Sequence, residues 1–324
     1  MSNETRTQKS VTSAGTAQAV PAGKGSGSDA RWRKKENLAG YVFAGPAILG
    51  LIFFAFIPIA ISFAASFSNW DMRSAWEFVG VSNYQSLFTE DVYFYRSLEA
   101  TFYFAILSVV ASNLTALVIA LLLNLDIKGQ GIFRTVYYMP TIVPAVAQAL
   151  LWGWLFNVDY GFFNSILQMV GLPPCEWLAG ETTVIPSLVL MSVWACGGTM
   201  VIYLSGLQSV PNNLKEAVAI DGGGAWAKFR AVTVPYLSPI IFFNTLMSII
   251  GSLQVFTQAM LMTGGGPNGR SLFYSYYLYL KAFRDQQMGY ACAMAWVLFV
   301  IVVLISLLVF RFFKNRLYYE SGDN

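Results

Sequence analysis

The sequence predicts an all-α membrane protein with six transmembrane helices. Of its 324 residues, 56% are hydrophobic and only 11% are charged, whereas soluble domains carry about 25% charged residues. A soluble fold of this length could not bury so many apolar side chains, so the surplus must face lipid. Six uncharged apolar stretches can each cross a hydrocarbon core of about 30 Å, which takes about 20 helical residues. They are residues 41–67, 101–125, 135–157, 184–208, 239–262 and 290–310.

The apolar residues of these stretches are continuous and do not alternate with polar ones, which favours helices over β-strands. Prolines lie in or near the first, third and fourth stretches, where neighbouring helices can satisfy the backbone groups that proline frees. Before the first stretch, residues 1–36 are rich in Ser, Thr, Gly, Ala and Gln, a composition that predicts a disordered tail. Residues 37–317 are expected to form the membrane domain, and residues 318–324 a C-terminal tail.

The distribution of Lys and Arg predicts the orientation, because these residues accumulate in cytoplasmic loops. With the N-terminus in the cytoplasm, fifteen of the 20 basic residues fall on the cytoplasmic side and five fall outside. We therefore expect both termini in the cytoplasm. The external segment 263–289 carries three of the five exceptions and is the weakest point of this assignment.

The composition excludes several classes of site. The chain has no His, so it lacks the commonest metal ligand and the commonest general base. Its three cysteines are too far apart for a zinc pattern. A net charge of +3 from scattered basic residues argues against nucleic-acid binding. No catalytic or metal site is expected.

The predicted spans contain no charged residue. Ion-coupled transporters usually place Asp, Glu, Lys or Arg at the membrane midplane, so an ion-coupled secondary transporter is a less favoured alternative. A membrane scaffold or channel without a pump is a third possibility. If the chain moves a solute uphill, another polypeptide is expected to supply the driving force.

The segment between the fourth and fifth stretches, residues 211–238, has a composition unlike the spans. Asn212 or Asn213 can cap a short helix formed by Leu214 to Ile220, and three glycines from Gly222 can end it. A second helix is expected from Ala225 to Val234, before Pro235. From the residues alone, docking on a partner and an amphipathic connector on the membrane surface are both open. The chain has no G-x-x-x-x-G-K-[ST] sequence, so it cannot be its own P-loop ATPase.

The segment resembles the EAA loop of bacterial ABC importer permeases. That loop has the pattern Glu-Ala-Ala, three residues, Gly, nine residues, then Ile-x-Leu-Pro. The residues in register are Glu216, Ala217, Asp221, Gly222 and Pro235, with Val232 and Val234 as conservative changes. Val218 replaces the second Ala, and Gly223 stands where Ala usually follows the Gly.

The resemblance implies a type I ABC importer permease fold, in which the first short helix of this loop is a coupling helix seated in a cleft of a separate ATPase subunit. Small side chains at Ala217 and Ala219 would let two helices approach closely, and Glu216 and Asp221 would pair with basic or amide groups of the partner. ATP and Mg²⁺ would bind that partner, and this chain would hold no cofactor and would not be an enzyme. Closure of the ATPase dimer would tilt the spans through the docked helix.

Three further stretches are similar to carbohydrate permeases of the maltose, glycerol-phosphate and multiple-sugar type. They are Phe78–Phe88, Leu122–Arg134 and Met262–Pro267, the last followed by Tyr276 and Tyr279. The resemblance implies a multi-pass protein of a bacterial or archaeal cell membrane that forms half of a carbohydrate path. Implied partners are a second homologous permease in a heterodimer, an ATPase dimer and an extracytoplasmic sugar-binding protein.

The resemblance also implies where a solute would bind, on the fourth and fifth spans near the midplane. The implied residues are Trp194, Ala195 and Gly198 on the fourth span, and Ser248, Ser252 and Val255 on the fifth. The last three share one helical face, and Trp194 offers a ring on which a sugar can stack. Gln254 and Gln258 form another polar pair at i, i+4 that could serve instead. The alternative is that Gly198, Ser248 and Ser252 are small residues that permit close helix packing.

Overall fold

The computed structural model describes residues 40–73, 75, 77–126 and 128–314. The tails predicted at 1–36 and 318–324 lie outside these residues. Everything described is helix, turn or loop, apart from an isolated antiparallel bridge between Ser68 and Phe78. The all-α prediction is therefore confirmed for this part of the chain.

Backbone contacts divide the chain into a unit ending at Ala60 and a unit beginning at Ile61. The described part of the first unit belongs to helix α1, Gly40–Ala65, which is 26 residues long and strongly apolar. One π-helical turn, Ile52–Phe56, lies within it. Its side chains are mostly exposed, as expected of a helix whose solvent is lipid.

Two other helices are also long and apolar enough to cross a membrane. They are α3, Val92–Leu123, with 32 residues, and the last helix, Met288–Lys314, with 27. A short helix, α2, Ser82–Thr89, precedes α3. Asp91 caps α3, because its Oδ1 accepts a hydrogen bond from Phe94 N at 3.1 Å, which satisfies a free N–H of the first turn.

The third predicted stretch, 135–157, is not one continuous helix. The structure divides it into α4, Gln130–Ile142, and α5, Ala145–Leu155. The break lies at Val143, which is extended because the α region is disfavoured before Pro144. The Gln148 side chain donates to Pro140 O at 2.8 Å and to Val143 O at 2.9 Å, so the carbonyls freed by the break have a partner.

The fourth stretch forms a bent pair after the short helix α6, Phe162–Met169. Helices α7, Val184–Trp194, and α8, Gly197–Ser209, meet at 47°. Gly197 begins α8 where it crosses α4, and a Cβ there would lie 2.2 Å from Tyr137 O. A glycine allows this close backbone approach.

The fifth stretch forms a second bent pair with the helix that precedes it. Helix α9, Asn212–Ile220, is followed by α10, Ala225–Tyr236, which meets α11, Ser238–Leu253, at 64°. After α11 the chain leaves the helix and forms a single π-helical turn, α12, Ala259–Thr263. Helix α13 runs over Tyr274–Tyr279 and continues as Leu280–Arg284, before α14, Met288–Lys314.

Helix α3 is the centre of the second unit and packs against α7, α8 and α11. Alanines on α3, Ala116 and Ala120, are fully buried against Tyr203 and Leu207 of α8 and against Leu237 at the bend before α11. Small residues let helices approach closely where lipid supplies no hydrophobic driving force between them. Nearer its N-terminus, α3 buries Phe104 against Leu188 and Phe273. This framework places a polar cavity beside the middle of α3.

Candidate functional site

The coupling segment, residues 211–236, is a short helix, a tight turn and a second helix. Helix α9 begins two residues earlier than predicted, with Pro211 rather than Asn212 or Asn213 at the N-cap position. The expected side-chain cap is therefore wrong: Asn213 Oδ1 accepts from Leu214 N at 2.9 Å instead. Proline suits a helix start because it fixes φ and has no N–H to satisfy.

The turn between the two helices depends on glycine. Gly222 has φ +79°, a left-handed conformation that glycine adopts without strain. Gly223 N donates to Val218 O at 2.8 Å, which closes the end of α9. The glycine stop predicted from the sequence is present in the structure.

The second helix is longer than predicted. It extends through Pro235 to Tyr236 rather than ending at Val234. A π-helical turn at Phe229–Thr233 lies directly before the proline. The chain then bends at Leu237 into α11, so the entry to the fifth span lies after Pro235.

No residue of α9 is buried. Ile220 is 86% exposed, and Trp226, across the turn, is 71% exposed. Glu216, Ala217, Ala219 and Asp221 are also exposed, and neither carboxylate forms an ion pair within the described part of the chain. A nine-residue helix that buries nothing is marginal by itself, so this surface is suited to a partner.

The predicted solute residues fall into two groups. A cavity of about 210 Å³, the serine cavity, lies between α3, α7 and the end of α11. Its lining residues are Phe104, Ser108, Val109, Ser112, Ser192, Ser248, Gly251, Ser252, Val255 and Gln258. The structure therefore brings Ser248, Ser252 and Val255 together. Gln258 joins them, whereas Gln254 is exposed and does not line the cavity.

The Gln254 and Gln258 pair predicted at i, i+4 does not lie on a continuous helix, because α11 ends at Leu253.

The solute residues predicted on the fourth span do not line the serine cavity. Trp194 is 38% exposed and contacts Trp152 edge-on, with ring centroids 5.7 Å apart. Ala195 lies in the bend between α7 and α8, and Gly198 N donates to Thr141 Oγ1 at 3.1 Å. The close contact of Gly198 with α4 fits the alternative of a packing residue.

Sequence reasoning missed three serines of the cavity. Ser108 and Ser112 lie near the middle of α3, and Ser192 lies on α7. The signal was the i, i+4 spacing of two hydroxyls in an otherwise apolar stretch, which places both on one helix face. Ser248 is further connected to α3 and α8, since Asn113 Nδ2 donates to Ser248 Oγ at 3.0 Å and the Tyr203 hydroxyl donates to Asn113 Oδ1 at 3.0 Å.

Two larger pockets lie on the side that the charge distribution predicts to be external. One, of about 890 Å³, includes Glu99, Glu181 and Arg270. Arg270 lies 3.4 Å from a Glu99 oxygen and 3.6 Å from a Glu181 oxygen. Exposed pairs of this kind contribute little stability. They connect the loop after α12 to Glu99 on α3 and to Glu181, which precedes α7.

The second pocket, of about 670 Å³, surrounds Asp91. The Tyr277 and Tyr290 hydroxyls each donate to Asp91 Oδ2 at 2.6 Å. Burial, followed by the hydrogen bond to this carboxylate, raises the pKa of the Tyr277 hydroxyl. Lys281 Nζ lies 5.6 Å from both ring centroids. Asp91 therefore joins α3, α13 and α14.

Within the described residues, no group of three His, Cys, Asp or Glu side chains could hold a metal ion.

Comparison with known proteins identifies the fold and the family. Residues 112–315 match the family described as binding-protein-dependent transport system inner membrane component. The chain is 40% identical over 307 residues to the probable ABC transporter permease protein YesP of Bacillus subtilis, covering 92% of this chain and 99% of the relative. It is 31% identical over 258 residues to the trehalose/maltose transport system permease protein MalF of Thermococcus litoralis, covering 79% of this chain and 85% of the relative.

A solved structure shares the fold. The crystal structure of a bacterial alginate ABC transporter in complex with alginate pentasaccharide-bound periplasmic protein contains a chain that aligns with a TM-score of 0.76 at 21% identity. The alignment covers 86% of this chain and 96% of that one. The matched family region includes the C-terminal third of α3, both bent helix pairs and the whole coupling segment. This chain therefore belongs to the family of binding-protein-dependent transport system inner membrane components.

Proposed function

We propose that this chain is the permease subunit that forms half of the translocation path of an ATP-driven, binding-protein-dependent sugar importer. The observation that carries the proposal is α9, a helix in the EAA register that buries none of its residues within the described part of the chain. The relative named for trehalose and maltose and the alginate importer support a saccharide as the cargo.

We propose a partner on each side of the membrane and a second permease within it. On the cytoplasmic side, α9 docks on one subunit of an ATPase dimer, which holds ATP and Mg²⁺, and this chain catalyses no reaction itself. On the external side, a sugar-binding protein delivers the saccharide. A second homologous permease completes a heterodimer, and both termini of this chain lie in the cytoplasm.

The coupling role belongs to Glu216, Ala217, Ala219, Asp221, Gly222 and Pro235. Exposed carboxylates at 216 and 221 are available for a partner, and the alanines leave room for another helix. The substrate path runs past Ser248, Ser252 and Val255, which line the serine cavity with Gln258. Trp194, Ala195 and Gly198 contribute at the bend of the fourth span, where the Trp194 ring is partly exposed.

Replacing Glu216 with Lys tests the docking role. We expect Glu216→Lys to abolish saccharide uptake and to weaken copurification of the ATPase without lowering the amount of permease in the membrane. The physical reason is that the change reverses a charge on an exposed residue that forms no ion pair within the described part of the chain, so the fold is unaffected. Uptake of radiolabelled saccharides and affinity purification measure the two effects.

The matched control is Glu77→Lys, which makes the same charge reversal at an exposed residue on the predicted external side. Its uptake and ATPase copurification should equal those of the parent. Normal uptake by Glu216→Lys would remove the docking role from α9. Depleting ATP while the ion gradient is intact tests the alternative, because unchanged uptake would then indicate an ion-coupled secondary transporter.

A further inference from the structure

The serines of the serine cavity differ in what their hydroxyl groups already bind. Ser108, Ser192 and Ser252 donate to carbonyl oxygens of their own helices, at 3.3, 3.1 and 2.9 Å. A hydroxyl has one hydrogen and two lone pairs, so these three serines present acceptors to the cavity. Ser248 differs from them because its Oγ accepts a hydrogen bond, from Asn113 Nδ2 at 3.0 Å. The hydroxyl hydrogen of Ser248 is not used in that bond and can point in another direction.

Asn113 is held in one orientation by its neighbours. Its Nδ2 donates to Val109 O at 2.9 Å as well as to Ser248, and its Oδ1 accepts from the Tyr203 hydroxyl at 3.0 Å. Exchanging the amide nitrogen and oxygen would turn Oδ1 towards the Val109 carbonyl oxygen, which offers no hydrogen. Tyr203, on α8, is only 2% exposed, so this partner is itself fixed by packing.

Asn113 does not line the cavity, and its side chain is hydrogen-bonded to a serine that does, Ser248. We propose that Asn113 is a positioning residue of the substrate path, which orients the Ser248 hydroxyl so that its hydrogen is offered to an oxygen of a neutral saccharide. The proposal rests on the proposed function, since it assumes that the serine cavity lies on the substrate path.

The arrangement also accounts for selection by chemistry. A saccharide hydroxyl both donates and accepts, so it can give its hydrogen to one of the acceptor serines and take one from Ser248. An anionic group can only accept, so it has no use for the acceptor oxygens of Ser108, Ser192 and Ser252. The Ser248 hydrogen beside these three acceptors therefore suits a group that both donates and accepts.

A double-mutant cycle tests the proposal in the source organism, with the chromosomal gene replaced by each variant. Uptake of a panel of radiolabelled mono-, di- and trisaccharides is measured for Asn113→Leu, Ser248→Ala and the double variant, each normalised to its amount in the membrane. Loss of one hydrogen bond should lower maximal uptake about fivefold in each single variant. Because Asn113 acts through Ser248, the double variant should be no slower than Ser248→Ala.

Two further readouts separate positioning from structural damage. Both single variants should change the relative uptake rates among the saccharides in the same direction, whereas a loosened fold would lower all rates in proportion. Tyr203→Phe removes the hydrogen bond to Asn113 Oδ1 while keeping the ring, and it provides the same cycle if Asn113→Leu does not reach the membrane. Ser306→Ala, which removes a hydroxyl bonded to Val302 O on α14 outside the cavity, should leave uptake unchanged.

The proposal is overturned if the effects of Asn113→Leu and Ser248→Ala multiply to about 25-fold, as independent effects do, or if the relative rates are unchanged. Either result in a parent that imports saccharides contradicts the role of Asn113 alone. A parent strain that imports no saccharide of the panel would instead contradict the proposed function, and the positioning role with it.

Discussion

Gly197 lies at the crossing of α4 and α8 with no room for a side chain. A Cβ would lie 2.2 Å from Tyr137 O and 2.9 Å from Thr141 Oγ1. We expect Gly197→Ala to destabilise the protein by about 1–3 kcal/mol, because the helices must separate to admit a methyl group. Thermal unfolding of the purified protein in detergent measures the loss.

Gly153 provides the matched control. It lies within α5, and a Cβ there would meet nothing within 4 Å. Gly153→Ala should unfold at the same temperature as the parent or slightly above it, since alanine is the better helix former. Equal effects at both glycines would show that the close crossing of α4 and α8 is not a source of stability.

Single polar residues in this protein were harder to predict than glycines. The sequence shows that Ser248 and Ser252 share a helix face, and the structure places both at the serine cavity. It does not show that Asn113, from a different span, would bond to one of them. Side-chain partners that lie far apart in sequence depend on how the helices pack, which hydropathy does not encode.

Helices that could be predicted well are those whose ends are marked by local chemistry. The glycine stop of α9 follows from residue types that end helices. The broken elements were missed. Apolar residues continue across Val143, Trp194 and Leu253, so hydropathy alone gave no sign that the helix is interrupted there.

The turn after α9 sets the direction in which the coupling segment leaves the helix. We expect Gly222→Ala to lower uptake and ATPase copurification, because φ +79° at this position costs an L-residue about 1–2 kcal/mol. The turn must then relax and move α9. Uptake normalised to membrane abundance measures the effect.

Gly224→Ala is the control for this turn. Gly224 has φ −76°, and a Cβ there would meet nothing within 4 Å, so alanine should be accepted with normal uptake. If both variants behave alike, the left-handed turn at Gly222 has no role in holding the helix.

At the scale of the whole molecule, two features fit a transport subunit driven by a partner. The long helix α3 and the bent pairs around it line a hydroxyl-rich cavity. An exposed short helix follows the fourth span. The composition predicted a membrane protein, and the EAA register predicted the family, which the family match confirms.

The helices connect the coupling segment to the cavity without a flexible linker. Helix α10 continues through one bend at Leu237 into α11, which carries Ser248 and Ser252. A push on α9 by an ATPase would pass through the turn at Gly222 to α10 and then to α11, which lines the cavity, as in hinge and shear transitions of packed helices. This is the physical content of the proposed coupling.

Site-specific photo-crosslinking from α9 tests the central claim most directly. A photoreactive amino acid is placed at Ala219, on the exposed surface of α9, and as a control at Gln85, an exposed residue on the predicted external side. In the transporting complex, position 219 should crosslink to a nucleotide-hydrolysing subunit, more strongly in one nucleotide state than in another, and position 85 should not. Crosslinks from position 219 only to lipid, while the complex imports saccharide, would contradict the claim that this helix couples ATP hydrolysis to transport.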